Sequence, residues 1–333
     1  MNDRPDHALS DPSSAASQPA PTGPPASALR RALEVLGDPW TMLILKEAFN
    51  GVRRFGAFQR ALNIPRQTLS LRLTALCREQ MLYRRHVSPV HATLEYAPTA
   101  KALDLEQAMY SVWLWHRANP GGVDVLPFDI VHRACGQVLE ASFRCTACNG
   151  AVCSANVAAR RSLPLQFDPE PRARLSRRND AAFAAASSPV DDSAGAPAAQ
   201  GGLVAASLVG DIPANEILHL LFRERLHIQE IARQTGLGAS VVRDRLQKLA
   251  ALDLVSEQVQ GRKVLYAPRP RAEGFYPLLI SIAAWGDRWC NGDQPPPEIL
   301  THDCGALLKA RFVCDHCGGP VTRASVRIVP LDA

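Results

Sequence analysis

Between Trp40 and Gln80, apolar residues fall at helical spacing in three successive stretches. Met42, Leu43, Leu45 and Phe49 line one face of a first helix, and a second runs from Phe55 to Leu62. The second stops at Asn63-Ile64-Pro65, because proline cannot continue a helix yet suits the first turn of the next. A third helix, Arg66 to Gln80, spaces Leu69, Leu73 and Leu76 to face a core and turns Arg66, Gln67, Ser70 and Arg72 the other way. Beyond it, Leu82 to Arg85 and Leu94 to Ala97 read as strands around a loop with Pro89 and two histidines. Helix, turn, helix and hairpin predict a winged helix-turn-helix.

The same order of features returns further along. Phe55 to Leu73 aligns with Ile228 to Leu246 at an offset of 173 residues, with Phe58 on Ile231, Ile64 on Leu237, Leu69 on Val242 and Leu76 on Leu249. Leu94-Glu-Tyr-Ala-Pro98 meets Val264-Leu-Tyr-Ala-Pro268, and Trp115 meets Trp285, at an offset of 170. Cys135, Cys145 and Cys148 meet Cys304, Cys314 and Cys317 at 169. One unit occurring twice explains this order, so the chain reads as a tandem duplication. In the second copy the turn is Gly236-Leu237-Gly238. The third helix there, Ala239 to Leu252, presents Ser240, Arg243 and Arg245, and the wing from Val255 to Tyr266 turns at Gly261-Arg262-Lys263.

The fold class that follows is mainly α with small β-hairpin wings: two winged helix-turn-helix domains, each followed by a small Cys-rich β unit. Residues 1–27, rich in Pro, Ala and Ser, form a disordered tail. The first winged domain spans residues 28–120 and its Cys-rich unit 121–158. A flexible Ala/Ser/Pro/Gly linker covers 159–206. The second winged domain spans 207–292 and its Cys-rich unit 293–333.

Charge sharpens this picture. The net formal charge of +5 is unevenly spread: Arg53 to Lys101 holds nine basic and two acidic residues, and Arg223 to Arg271 ten and five. Both basic islands coincide with a third helix and its wing, which suits a polyanion. An apolar back anchors such a helix while its front enters the major groove of double-stranded DNA. There Arg66, Gln67, Ser70 and Arg72, and Ser240, Arg243 and Arg245, are the candidates to read base edges. Arg53, Arg54, Arg84, Arg85, Arg262 and Lys263 are the candidates to neutralise phosphates. With no run long enough to span a membrane and no apolar leader, the expected location is the cytoplasm.

Six of the nine cysteines belong to the repeated pattern. His132-x-x-Cys135 precedes Cys145-x-x-Cys148, and His302-x-Cys304 precedes Cys314-x-x-Cys317. Two thiolates wrapped by a knuckle, with a nearby glycine, suit a tetrahedral ion, so each copy predicts one structural zinc built from its own residues. His316 competes with His302 in the second copy, and Cys153 is an outside candidate in the first. Metal-free thiol turns or redox pairs are the alternative. No catalytic site is expected: a His-Glu-x-x-His motif, a glycine-rich phosphate loop and a serine elbow are all missing from the sequence.

Gly37-Asp-Pro-Trp-Thr-Met-Leu-Ile-Leu45, Gly51-Val-Arg-Arg-Phe-Gly-Ala-Phe-Gln59 and Leu94-Glu-Tyr-Ala-Pro-Thr99, followed by a Trp-bearing helix, resemble the HxlR family of bacterial transcriptional regulators. The resemblance covers about residues 28–119 and is weaker over 208–290, where Pro213 stands at the Trp40 position and the Arg-Arg-Phe triplet is absent. It implies a winged-helix homodimer acting as repressor or activator and responding to a small-molecule effector, commonly a reactive or redox-active compound. The cysteine that redox-sensing members often carry before the first helix is absent here.

The family's Trp-bearing helix forms its dimer interface, and this chain has two such helices, Lys101 to Ala118 and Ala272 to Cys290. They are expected to pair within the chain as a pseudo-dimer reading an imperfect palindrome, or between chains as a homodimer. Docking of a protein partner by the second copy, with only the first on DNA, stays open as an alternative.

Overall fold

The computed structural model describes residues 27–86, 94–119, 128–162 and 208–331. The N-terminal tail lies outside the described residues except for Ser27, as does the expected linker beyond Ser162.

The first helix, α1 (Ala28–Leu36), is capped by the Ser27 hydroxyl, which accepts from the Arg30 N–H at 3.1 Å. Helices α2 (Pro39–Phe49), α3 (Phe55–Leu62) and α4 (Arg66–Arg78) follow, then strands β1 (Leu82–His86) and β2 (Leu94–Pro98). Asp38 caps α2, with Pro39 in the first turn, where its missing N–H costs nothing. Asn63 closes α3 in the left-handed region at φ 46°, which lets Ile64 drop into the core before Pro65 opens α4. Leu69, Leu73 and Leu76 are buried, as their spacing predicts.

Later in the chain the same order recurs: α7 (Ile212–Leu221), α8 (Ile228–Thr235), α9 (Ala239–Ala251), β6 (Val255–Gln260) and β7 (Lys263–Pro268). Gln260 pairs with Lys263 across a two-residue turn whose first member, Gly261, has φ 63°. That left-handed value is what a tight hairpin demands there.

Each Trp-bearing helix is shorter than its apolar pattern suggests. The first splits into α5 (Ala100–Leu103) and α6 (Glu106–Ala118), the second into α10 (Pro270–Glu273) and α11 (Tyr276–Trp289). In the second case Pro277 sits in the first turn of α11, where it cannot accept the register of a preceding helix.

α6 and α11 pack on each other within this one chain. The Trp115 indole donates to the Arg271 carbonyl at 3.4 Å, and the Trp285 indole to the Lys101 carbonyl at 2.7 Å. Arg271 stacks over Trp115 at 5.1 Å and Lys101 over Trp285 at 5.5 Å, so the two contacts mirror one another. Trp115 also meets Phe275 edge-on, with centroids 4.6 Å apart. Helix α1 crosses to the far half and lies on α11. The approach is so close that a Cβ on Gly286 would stand 2.2 Å from the Ala28 carbonyl oxygen.

The Cys-rich segments do not form two separate units. Their strands are β3 (Phe128–His132), β4 (Ala141–Cys145), β5 (Val157–Arg161), β8 (Glu298–His302), β9 (Ala310–Cys314) and β10 (Val326–Pro330). All three antiparallel pairs cross between the halves: β3 with β10, β4 with β9, and β5 with β8. β5 reaches Arg161, inside the segment expected to be linker, because Glu298 to His302 gives its backbone a partner. Phe143 faces Phe312 at the centre of the β4–β9 register, with ring centroids 5.0 Å apart and both rings buried. The two residues stand 169 apart, the offset of the cysteine pattern. No helix of the described residues is long and apolar enough to cross a membrane.

Candidate DNA-reading surface and shared cysteine-histidine clusters

The buried leucine stripe of α4 leaves Arg66, Gln67 and Ser70 exposed along the opposite side. The Arg66 guanidinium rests 5.6 Å from the Phe55 ring centroid, which steadies it without neutralising it. Arg84 and Arg85 are exposed on the adjoining hairpin, and Arg54, which precedes α3 and bridges to Glu95 of β2, is exposed beside them. Arg85 bonds Glu95 at 2.9 Å and Arg54 lies 3.5 Å from the same carboxylate. The hydrogen bond from Arg85, then its charge and the Arg54 contact, hold Glu95 below the usual carboxylate range against the effect of burial. In the second set, Ser240 and Arg243 are exposed on α9, and Arg262 and Lys263 at the β6–β7 turn.

Three expected contacts are corrected. Arg72 and Arg245 sit at matching positions of α4 and α9, yet each reaches back to the carboxylate that caps the first helix of its own unit: Arg72 to Asp38, Arg245 to Asp211 at 2.8 Å. The Arg245 side chain is only 2% exposed, against 20% for Arg72. These guanidiniums fasten α4 to α2 and α9 to α7 rather than facing outward. Asp38 and Asp211 stand at the same offset of 173 as the two arginines, so the sequence carries both ends of each pair. Arg53 is half-buried and donates to the Val52 carbonyl at 2.9 Å and to that of Ala48, so it closes the turn after α2. Leu71, 64% exposed between Ser70 and Arg72, was missed because it lies off the apolar stripe.

The cysteines also assemble differently from their spacing. His132 and Cys135 gather with Cys314 and Cys317, while Cys145 and Cys148 gather with His302 and Cys304. In each set the donor atoms lie within 4.8 Å of one another. The Cys135 Sγ is 3.9 Å from the Cys314 Sγ and 3.5 Å from the His132 Nδ1, and the Cys317 Sγ is 3.3 Å from that nitrogen. In the other set, Cys148 Sγ and His302 Nδ1 are 3.5 Å apart. A tetrahedron with Zn–S of about 2.3 Å and Zn–N of about 2.0 Å has S···S edges of about 3.8 Å and S···N edges of about 3.5 Å. The donor set therefore fits one zinc per cluster, each drawing on both halves. The expected within-copy sets fail because β4 and β9 run antiparallel, carrying each Cys-x-x-Cys knuckle to the other half's histidine.

The surroundings are built for ligation. The Gln137 N–H, then His132, bring the Cys135 thiol down to about 7, and the Ala306 N–H, then His302, do the same for Cys304. The His302 Nε2 donates to the Ala151 carbonyl at 3.2 Å, leaving Nδ1 toward the sulfurs. Gly150 and Gly319 lie against the imidazoles. A Cβ would come within 3.3 Å of the His302 ring at Gly150 and within 3.0 Å of the His132 ring at Gly319. His316 lies 3.7 Å from Glu140 and Cys153 caps the short turn Ser154–Asn156, so both stand apart from the clusters.

The family model of the HxlR-like helix-turn-helix matches residues 35–121. An HTH-type transcriptional regulator of Mycobacterium tuberculosis, itself named as uncharacterized, is 38% identical over 130 residues, which make up 38% of this chain and 80% of that protein. A regulator of the same description from Mycobacterium bovis matches to the same extent. The chain belongs to the HxlR-like helix-turn-helix regulators. Two solved structures named as transcription factors are also similar. PA1607 has 24% identity over 41% of this chain and 91% of that one, with a TM-score of 0.34. PA1374 of Pseudomonas aeruginosa has 28% identity over 43% and 93%, with a TM-score of 0.29.

The HxlR-like match takes in α2 to α6 and ends at residue 121, before the first cluster residue at His132. The family thus accounts for a DNA-binding regulator's helices and wing, whereas the clusters belong to the part of the chain beyond them.

Proposed function

We propose that this HxlR-like regulator carries two winged helix-turn-helix units, duplicated in tandem, that pair within one chain and read an imperfect palindrome in double-stranded DNA. The observation that carries this reading is the reciprocal packing of α6 on α11, each tryptophan bonded to the other half's backbone. The curated relative, matched over 130 residues that are 80% of its length, is about half as long as this chain, as a duplication requires. Arg66, Gln67, Ser70 and Leu71 of α4, and Ser240 and Arg243 of α9, would meet base edges, Leu71 suiting a thymine methyl. Arg54, Arg84, Arg85, Arg262 and Lys263 would meet phosphates. Since the two helices differ in sequence, the half-sites would differ too, about one helical turn apart.

Zinc at each cluster would be held by His132, Cys135, Cys314 and Cys317, and by Cys145, Cys148, His302 and Cys304. Its role would be structural: a cation that stabilises the thiolates and cross-links the halves.

The test is binding of the purified full chain to fragments of its own promoter region across a salt series, with chain-to-DNA stoichiometry and metal content measured on the same sample. One chain per asymmetric site, with affinity falling steeply as salt rises, is the expected result. Two chains on a symmetric palindrome would overturn intrachain pairing, and no specific binding at any salt would overturn the DNA-reading assignment.

A further inference from the structure

The two halves differ at one matched place. In the second half, Glu216, His219, Arg223 and Glu298 line a cleft of only 40 Å³. Each carboxylate is paired: Glu216 accepts from Arg30 at 3.2 Å, and Glu298 accepts from Arg223 and lies 3.1 Å from His219. The matched residues of the first half are Leu43, Lys46, Asn50 and Phe128, at the offsets of 173 and 170 that relate the copies. They line a cavity of 380 Å³ between α2, α6 and the β3–β10 pair. That volume is in the range of small-molecule sites, about 300–1,000 Å³. The two matched places thus differ in volume and in chemistry: in the second half Ser27, and Leu29 and Arg30 of α1, lie against the ion-paired residues, whereas Leu43 and Phe128 face open space in the first.

Its lining has two chemistries. Met42, Leu43, Phe49, Met109, Trp113 and Phe128 supply an apolar, partly aromatic wall. Lys46, Arg133, Arg323 and Arg327 supply cations, the three arginines exposed at its edge. The Arg133 Nε is anchored to the Val326 carbonyl at 2.8 Å, which fixes that guanidinium at the edge. Among the described lining residues Glu106 is the single carboxylate. The Arg323 N–H donates to it at 2.9 Å, and burial raises its pKa. The local charge is thus positive around an apolar interior.

We propose that this cavity binds a small ring-bearing carboxylate, its ring against Trp113 and Phe128 and its carboxylate among Arg133, Arg323 and Arg327, and that this is the regulator's effector site. The effector role rests on the regulator reading above; the binding site stands on its own chemistry. A ligand here would press on α2, the helix that Asp38 joins to α4 through Arg72, and on β10, which comes from the other half. Both the first DNA-reading helix and the pairing of the halves would feel it.

The test uses the full, metal-loaded chain with benzoate, 2-naphthoate and cyclohexanecarboxylate, each beside its neutral alcohol, followed by calorimetry and tryptophan fluorescence. At least one carboxylate is expected to saturate one site per chain, with its alcohol roughly tenfold weaker or more. Arg327→Ala, on an exposed position of β10, should weaken binding by a similar factor with an unchanged circular dichroism spectrum. Met109→Trp, which fills the cavity, should abolish binding. No saturation by any of the three at millimolar concentration, equal binding of acid and alcohol, or indifference to both substitutions would overturn the site. Operator binding is measured on the same samples. Intact operator binding without carboxylate binding breaks the cavity assignment alone. Carboxylate binding by a protein that binds no specific DNA breaks the regulator reading and the effector role with it.

Discussion

The two halves of the molecule share their skeleton and differ in what fills it. Both have a third helix tied to an aspartate cap, a tryptophan bonded to residue 101 or 271 of the other half, and a knuckle facing the other half's histidine. Around those shared ties the environments diverge. Arg245 is sealed where Arg72 is partly open, Asp244 stands where Leu71 is exposed, and an ion-paired cleft in one half matches an apolar cavity in the other. The helix-tying arginines and the two tryptophans keep their partners, because losing one strands a buried polar group, whereas the Arg30–Glu216 pair, which also joins the halves, has Leu43 at its matched position. Groups that merely fill space are free to change, since a new packing or a new ion pair can serve as well.

The clusters offer the strongest way to break this comparison. If each ion is shared, Cys135→Ser with Cys317→Ser should lower bound zinc from two ions to one, while Cys135→Ser with Cys148→Ser should lose both. Sets confined to one copy predict the reverse, so metal analysis of the two double variants decides the matter. Chelation should unfold the β pairs, since the binding free energy of a structural zinc, on the order of 10 kcal/mol, is folding free energy.

The helix-tying arginines come next. Arg245→Ala leaves the largely buried Asp211 with its cap bond from the Ala214 N–H but no ion pair, and burial already pushes that carboxyl up, so a loss of about 3 kcal/mol is expected in denaturant unfolding. Arg72→Ala, at a more open position, should cost about 1 kcal/mol. Equal losses would remove the difference in burial as an explanation.

A pH series sharpens the contrast between the two matched clefts. Burial alone would raise Glu298, but His219 and Arg223 bring it down to about 2. Its folded value is below its unfolded one, so it stabilises above the ordinary carboxylate range and loses that contribution as pH falls from about 4.5 toward 2. Burial, then Arg223, also lowers His219, so the second half loses further stability as pH falls through the ordinary imidazole range. Glu298→Gln should cost about 2 kcal/mol at neutral pH and flatten the acid limb of the stability curve; an unchanged limb would discard the network.

The smallest expected effects concern DNA. Arg66→Ala and Arg243→Ala should each weaken operator binding by about 1–2 kcal/mol, and each should relax preference in a different half-site. Relaxation of the same half-site by both would mean that only one unit reads bases.

Much of this molecule was legible in its sequence. The Leu69, Leu73 and Leu76 spacing, the proline-marked turn and the hairpin strands specify the local elements, because helix and strand periods are short-range properties. Exposure of Arg66, Gln67, Ser70 and Arg243 follows from the same periods. Arg72 and Arg245 escaped that logic, since a long side chain on a helix flank can turn back to a neighbouring cap that periodicity does not register.

What the sequence determined by itself was the inventory: two similar sets of helices and hairpins, and two identical runs of three cysteines each preceded by a histidine. Which histidine meets which knuckle was beyond it. The cysteine spacing is the same in both copies and the histidine spacing differs by one residue, so either knuckle matches either histidine locally. Only the tertiary structure broke that tie, by pairing β4 with β9 antiparallel about Phe143 and Phe312, which carries each knuckle to the opposite half.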